Sequence, residues 1–246
     1  MMNKRIVFAG DSWFWTWSAN LKSNFVRKNR QISFFELFFK QHWLDIKTLN
    51  KNGSELNETI DIINHFNPRK NDILVVFVSS PVRSSDTFFK YNIDTNNYDN
   101  FLNQFIDLYT IQFKHLDEWS KKHKIPVVLL GGQSPIIGET FDLYSPGRFL
   151  AYDIAREYVK VTRNDIKELE DIGPFALHNN WYKEVSEDWN PKIIEKIHSD
   201  FYTFSSFVEN KGQVLFYPDP GHFNLTGQQF TLDYLFRYLK EQNLYG

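Results

Sequence analysis

The stretch Asp72-Ile-Leu-Val-Val-Phe-Val78 limits what this chain can fold into more than any other. It is an unbroken apolar, β-prone run that reads as a buried strand. A strand that is apolar at successive positions has two faces to hide, and that is the condition of a parallel sheet covered on both sides. Ile6-Val-Phe8 and Ile125-Pro-Val-Val-Leu-Leu130 have the same character, and Leu44 to Leu49 reads as a further strand. Between them lie segments with helical periodicity. Leu56, Ile60 and Ile63 mark a helix from Glu55 to about Phe66 with Ser54 as its cap, ended by Asn67-Pro68. Phe101, Phe105, Leu108, Phe113 and Leu116 mark a long amphipathic helix from Tyr98 to Lys122. Strand–helix alternation of this kind predicts an α/β fold with a mostly parallel sheet.

From Gln133 to about Gly212 the alternation lapses. Phe149 to Val161 and Asn190 to Val208 read as helices, the second opened by Asn190-Pro191. A last strand is expected over Gln213 to Tyr217 and a last helix from Leu225 to about Leu239. Residues 133–212 are therefore expected to be a helical insertion, a lid or a subunit contact, before the final strand. The sequence contains no internal repeat or low-complexity linker, so residues 1–246 are read as one domain, a size that suits a single α/β unit.

Composition removes several classes of function. With 28 basic and 30 acidic residues scattered along the chain, nothing favours a nucleic acid partner. With no cysteine, disulfides, thiolate metal sites and a cysteine nucleophile are excluded. The remaining histidines, His42, His65, His115, His123, His178 and His198, lack metal-ligand spacing, and Asp94-Thr-Asn-Asn-Tyr-Asp99 lacks the glycine and terminal glutamate of a calcium loop. No metal and no cofactor is expected. No run approaches a membrane span, and Met1 to Arg5 leads straight into the first strand without a signal peptide. A cytoplasmic location and no membrane partner follow as expectations. The high aromatic fraction of 17% supplies core and also rings to line a ligand cleft.

Two short blocks carry the chemistry. The first strand runs into Gly10-Asp11-Ser12, and the residues from Trp13 onward continue as a helix. Ser12 thus stands at a strand-to-helix turn, where exposed backbone N–H groups and the helix dipole favour negative charge. There a hydroxyl becomes a nucleophile if a base reaches it, although Asp11 or Ser12 also suits a helix cap. At the far end, Asp219-Pro-Gly-His222 precedes the last helix. A carboxylate three residues before an imidazole can orient it as a general base.

Gly10-Asp11-Ser12 near one end and Asp219-x-x-His222 with Asn224 and Gly227 near the other resemble the SGNH (GDSL-type) hydrolases. The resemblance implies a three-layer α/β/α, flavodoxin-like sandwich with about five strands. It also implies acyl transfer through a covalent serine ester, with Ser12 as nucleophile, His222 as base and Asp219 as its orienting partner. The substrate would be an O-acyl or O-acetyl ester, small or carried on a glycan. Three oxyanion donors are implied: the Ser12 backbone N–H, a glycine N–H for which Gly53 can stand, and an asparagine side chain from a third block. That third block departs from the family. After the third strand the chain reads Ser79-Ser80-Pro81-Val82-Arg83, without asparagine, leaving the Ser80 hydroxyl as a weaker donor. Arg83 and Trp13 are the candidate substrate contacts. An O-acyltransferase with the same triad, or a non-catalytic glycan- or protein-binding relative, would also fit these residues.

Overall fold

The computed structural model describes residues 4–10, 45–51, 54–79, 81, 90–92, 98–131, 136–147, 150, 153–154, 157 and 225–245. Within these, the apolar runs become parallel strands: β1 Arg5–Gly10, β2 Ile46–Asn50, β3 Asp72–Val78 and β4 Val127–Gly131. They lie in the order β2-β1-β3-β4. β1 aligns Ile6 with Ile46 on one side and with Ile73 on the other, and β3 aligns Val76 with Leu129. Every residue of β1, β3 and β4 is buried. β2 is only half-buried, as suits the outer position it takes among the described strands. Its Lys47 is exposed, a residue type that discourages edge pairing.

Helix α1, Leu56–His65, joins β2 to β3, and α2, Tyr98–His123, joins β3 to β4. Both crossovers step in the same direction along the sheet, so right-handed connections put both helices on one face. One cluster duly combines Val7, Val76 and Leu129 of the sheet with Ile60 of α1 and Phe113 of α2. Complete burial of each such side chain contributes about 1.5–3 kcal/mol. On the opposite face Ile6, Phe8, Ile73, Val75, Phe77, Val128 and Leu130 are buried equally, and the Phe8 and Phe77 rings meet at 6.3 Å. The sheet is thus covered on both sides, as its continuous apolar strands require. A third helix, α3 (Leu225–Glu241), buries Leu232, Leu235 and Leu239. Past its end the Leu244 carbonyl accepts a hydrogen bond from Lys4 Nζ, which ties it to the start of β1.

Three local details refine the sequence expectations. α1 is capped at Glu55, not Ser54: the Glu55 N–H donates to Glu58 Oε2 at 3.0 Å, while buried Ser54 turns its hydroxyl to Thr59 Oγ1 at 3.2 Å. The last strand before the 133–212 segment starts at Val127, two residues later than expected, because Lys124 takes a left-handed conformation (φ 56°) to end α2 and Pro126 follows it. Arg5 and Asp72, register partners at the amino ends of β1 and β3, form a buried bidentate ion pair. Arg5 Nε reaches Asp72 Oδ1 at 2.8 Å and Nη2 reaches Oδ2 at 2.6 Å. Asp72 also accepts the Arg69 N–H at 2.7 Å, and the Arg5 guanidinium lies 5.6 Å from the centre of the Phe66 ring. The expected fifth strand, Gln213 to Tyr217, and the greater part of the 133–212 segment lie outside the described residues.

Candidate active site at the carboxyl edge of the sheet

In an open parallel sheet, ligands bind outside the carboxyl ends of the strands where the strand order reverses. Here the chain goes outward from β1 to β2 and returns past β1 to β3, so the reversal lies between β1 and β3. This order equals the first four positions of the flavodoxin-like arrangement. The frame of the crevice is therefore Gly10 at the end of β1 and Ser79 just past the end of β3.

Gly10 adopts φ +149°, which L side chains rarely take. A Cβ there would sit 2.8 Å from Phe77 Cβ and 2.9 Å from the Phe77 carbonyl oxygen. The glycine thus lets β1 end in close contact with β3, and Asp11-Ser12 follow it in the sequence. Its carbonyl accepts the Lys51 N–H at 3.3 Å, and the Ser54 N–H donates to the Lys51 carbonyl at 3.1 Å. The first bond fastens the exit of β2 to the exit of β1, and the second ties Ser54 back to Lys51. Lys51 Nζ also pairs with Glu58 on the first turn of α1. That hydrogen bond holds the Glu58 carboxyl below its ordinary pKa, against the opposing effect of its partial desolvation.

Ser79 is the unusual group of the frame. It is 1% exposed, and its Oγ has no hydrogen-bond partner. Buried hydroxyls are nearly always bonded, and leaving one unsatisfied costs about 1–3 kcal/mol. Its carbonyl is better placed, 3.5 Å from the hydroxyl of buried Tyr109 on α2. Pro81 is buried close behind. Nothing in the sequence sets Ser79 apart from its neighbour Ser80, since burial without a partner leaves no mark there.

Ser12, Trp13, Gly53, Ser80, Arg83, Asp219 and His222 all lie outside the described residues. The nearest described residues to these blocks along the chain are Gly10, Ser79 and Leu225. Ser12 follows Gly10 by two residues, Ser80 follows Ser79 directly, and His222 precedes the first residue of α3 by three. At the start of α3, Thr231 Oγ1 donates to the Gly227 carbonyl at 2.8 Å, and Gln228 is buried. Among the described residues no group of three or more His, Asp or Glu side chains could hold a metal ion. None of the described helices is long and apolar enough to cross a membrane.

No protein-family model matches the chain, and no curated protein does. Among solved structures, a "putative SGNH hydrolase" from Slackia heliotrinireducens is similar at 11% identity and a TM-score of 0.40, covering 96% of this chain and 99% of that one. The α/β architecture itself is established by strand order and register.

Proposed function

We propose that this chain is a serine-dependent ester hydrolase of the SGNH type. The observation that carries the reading is the position of the strand-order reversal. It lies between β1 and β3, and β1 hands over there, through a glycine that tolerates no Cβ, to Asp11-Ser12. In this mechanism Ser12 Oγ bonds to the acyl carbonyl carbon while His222 takes the hydroxyl proton. His222 then returns that proton to the departing alcohol as the ester C–O bond breaks. Water, deprotonated by His222, next attacks the acyl-serine and releases the carboxylic acid and free Ser12. Asp219 holds the imidazole in the productive tautomer.

The negative charge on the carbonyl oxygen falls to the backbone N–H of Ser12, that of Gly53 and the hydroxyl of Ser80. Trp13 and Arg83 contact the alcohol portion, which we assign to a carbohydrate or other small alcohol bearing an O-acyl or O-acetyl group. The test is hydrolysis of p-nitrophenyl acetate by the full chain, followed with Ser12→Ala, His222→Ala and Asp219→Asn. Each variant is expected to lose about a thousandfold or more in kcat/KM. Ser12→Ala activity equal to wild type would refute the reading. Release of nitrophenol with acyl transfer to an added sugar, in place of free acetate, would identify an O-acyltransferase using the same residues.

A further inference from the structure

A groove of about 530 Å³ opens between the outer strand β2 and the second half of α1. α1 carries the chain back from the carboxyl end of β2 to the amino end of β3, so its last turn lies toward the amino edge of the sheet, away from the crevice. Leu49 of β2, Ile62 of α1 and Phe66 just past it give the groove an apolar floor, and all three are half-buried. Leu49 and Phe66 pack against the core cluster, and the Arg5 guanidinium lies 5.6 Å from the centre of the Phe66 ring. The floor is therefore held by the sheet and by the buried Arg5–Asp72 pair.

The rim carries opposite charges on its two sides. Lys47 stands on the strand side and Asp61 on the helix side. Both are exposed, and neither side chain has a bonding partner among the described residues. His65, also on the rim, places Nδ1 at 2.7 Å from the Asp61 carbonyl. A carbonyl only accepts, so Nδ1 carries the hydrogen and the neutral ring offers Nε2 as an acceptor. The negative end of the α1 dipole falls at the same turn. The helix side thus favours a cation and the strand side an anion, around an apolar floor. Apolar walls with a few polar groups are the usual form of a small-molecule site.

We infer that this groove binds a small zwitterion with an apolar body, an α-amino acid such as phenylalanine or leucine. Its carboxylate meets Lys47, its ammonium meets Asp61 and the last turn of α1, and its side chain covers Leu49, Ile62 and Phe66. A plain carboxylate would be repelled by Asp61, and a plain amine would be repelled by Lys47. The inference stands apart from the serine reading, because none of these residues belongs to the crevice.

The experiment titrates the folded full chain with L-phenylalanine, 3-phenylpropanoate and 2-phenylethylamine by saturation-transfer NMR. The three share a ring; the second lacks the ammonium and the third lacks the carboxylate. Phenylalanine is expected to saturate one site below about 10 mM. It should bind about three- to fivefold more tightly than either analogue, the size of effect an exposed ion pair supplies. Lys47→Gln is expected to weaken phenylalanine and phenylpropanoate by about that factor and to leave phenylethylamine no weaker. Asp61→Asn should weaken phenylalanine and phenylethylamine and leave phenylpropanoate no weaker. Both positions are exposed, so both variants should melt within about 2 °C of wild type.

No saturable binding of phenylalanine by the folded wild type would overturn the inference and leave the serine reading untouched. An analogue that binds as tightly as phenylalanine would overturn it too, as would a loss in Lys47→Gln shared equally by all three ligands.

Discussion

Replacing Gly10 with alanine tests the frame of the site at its tightest point. Two costs add. The backbone at φ +149° suits glycine alone, and sparsely populated conformations of this kind cost about 1–3 kcal/mol for other residues. The new Cβ also meets Phe77 Cβ at 2.8 Å and the Phe77 carbonyl at 2.9 Å, and overpacking of a filled interior typically costs about 1–3 kcal/mol. The lower entropy of the unfolded alanine chain offsets about 0.4–1 kcal/mol. The net loss is about 3 kcal/mol, which for a chain of this size lowers the melting temperature by roughly 6–12 °C.

Urea unfolding and thermal melts of wild type, Gly10→Ala, Phe77→Ala and the double variant give the assay. The double variant is the sharper part. The atoms that obstruct the new methyl are the Cβ, Cα and carbonyl of Phe77, all of which survive truncation of the ring. Phe77→Ala should therefore give no relief, and the two losses should add within about 0.5 kcal/mol although the residues touch. A Gly10→Ala loss under about 1 kcal/mol, or its rescue by Phe77→Ala, would refute the reasoning.

Other perturbations address the rest of the framework. Asp72→Ala strands the Arg5 guanidinium, only 10% exposed, without its carboxylate, so a loss of about 3–5 kcal/mol is expected by urea unfolding. Arg5→Met combined with Asp72→Leu should recover more than half of that loss, and no recovery would show that the pair matters for its geometry, not its charge. Glu58→Gln should cost under about 1 kcal/mol at pH 7, because Lys51 and Glu58 are 57% and 38% exposed and solvent screens their attraction. The Glu58 carboxyl is depressed below its ordinary 4.5 in the folded state, so its stabilisation is present above that pH. The gap between wild type and Glu58→Gln should accordingly close as pH falls from 4.5 through the lower folded value. A gap constant from pH 7 to 3 would contradict the ion-pair explanation.

What the sequence made legible follows from how local each signal is. β1, β3 and β4 are continuous apolar runs, and strands buried on both faces leave that pattern wherever they occur. β2 was harder to delimit, since Ile-Lys-Thr-Leu-Asn mixes polar and apolar residues as a half-buried strand does. The cap of α1 was misplaced by one residue because Ser54 and Glu55 both offer an acceptor; the buried contact of Ser54 with Thr59 decides between them. The Arg5–Asp72 pair joins residues 67 apart, and no local pattern announces it. Gly10 was legible as a turn, yet its second role, the close approach to Phe77, belongs to the strand pairing. Of the proposed site, Ser12, Asp219 and His222 are read from the sequence alone. The fold supplies the crevice between β1 and β3 and the unbonded Ser79 hydroxyl, neither of which can be read before the strand order is known.

The most direct measurement is mass spectrometry of the folded full chain after reaction with a small fluorophosphonate, followed by peptide mapping. The account predicts a single adduct on Ser12, absent from Ser12→Ala and strongly slowed in His222→Ala. A folded wild type with no adduct, or an adduct on another residue, would contradict it.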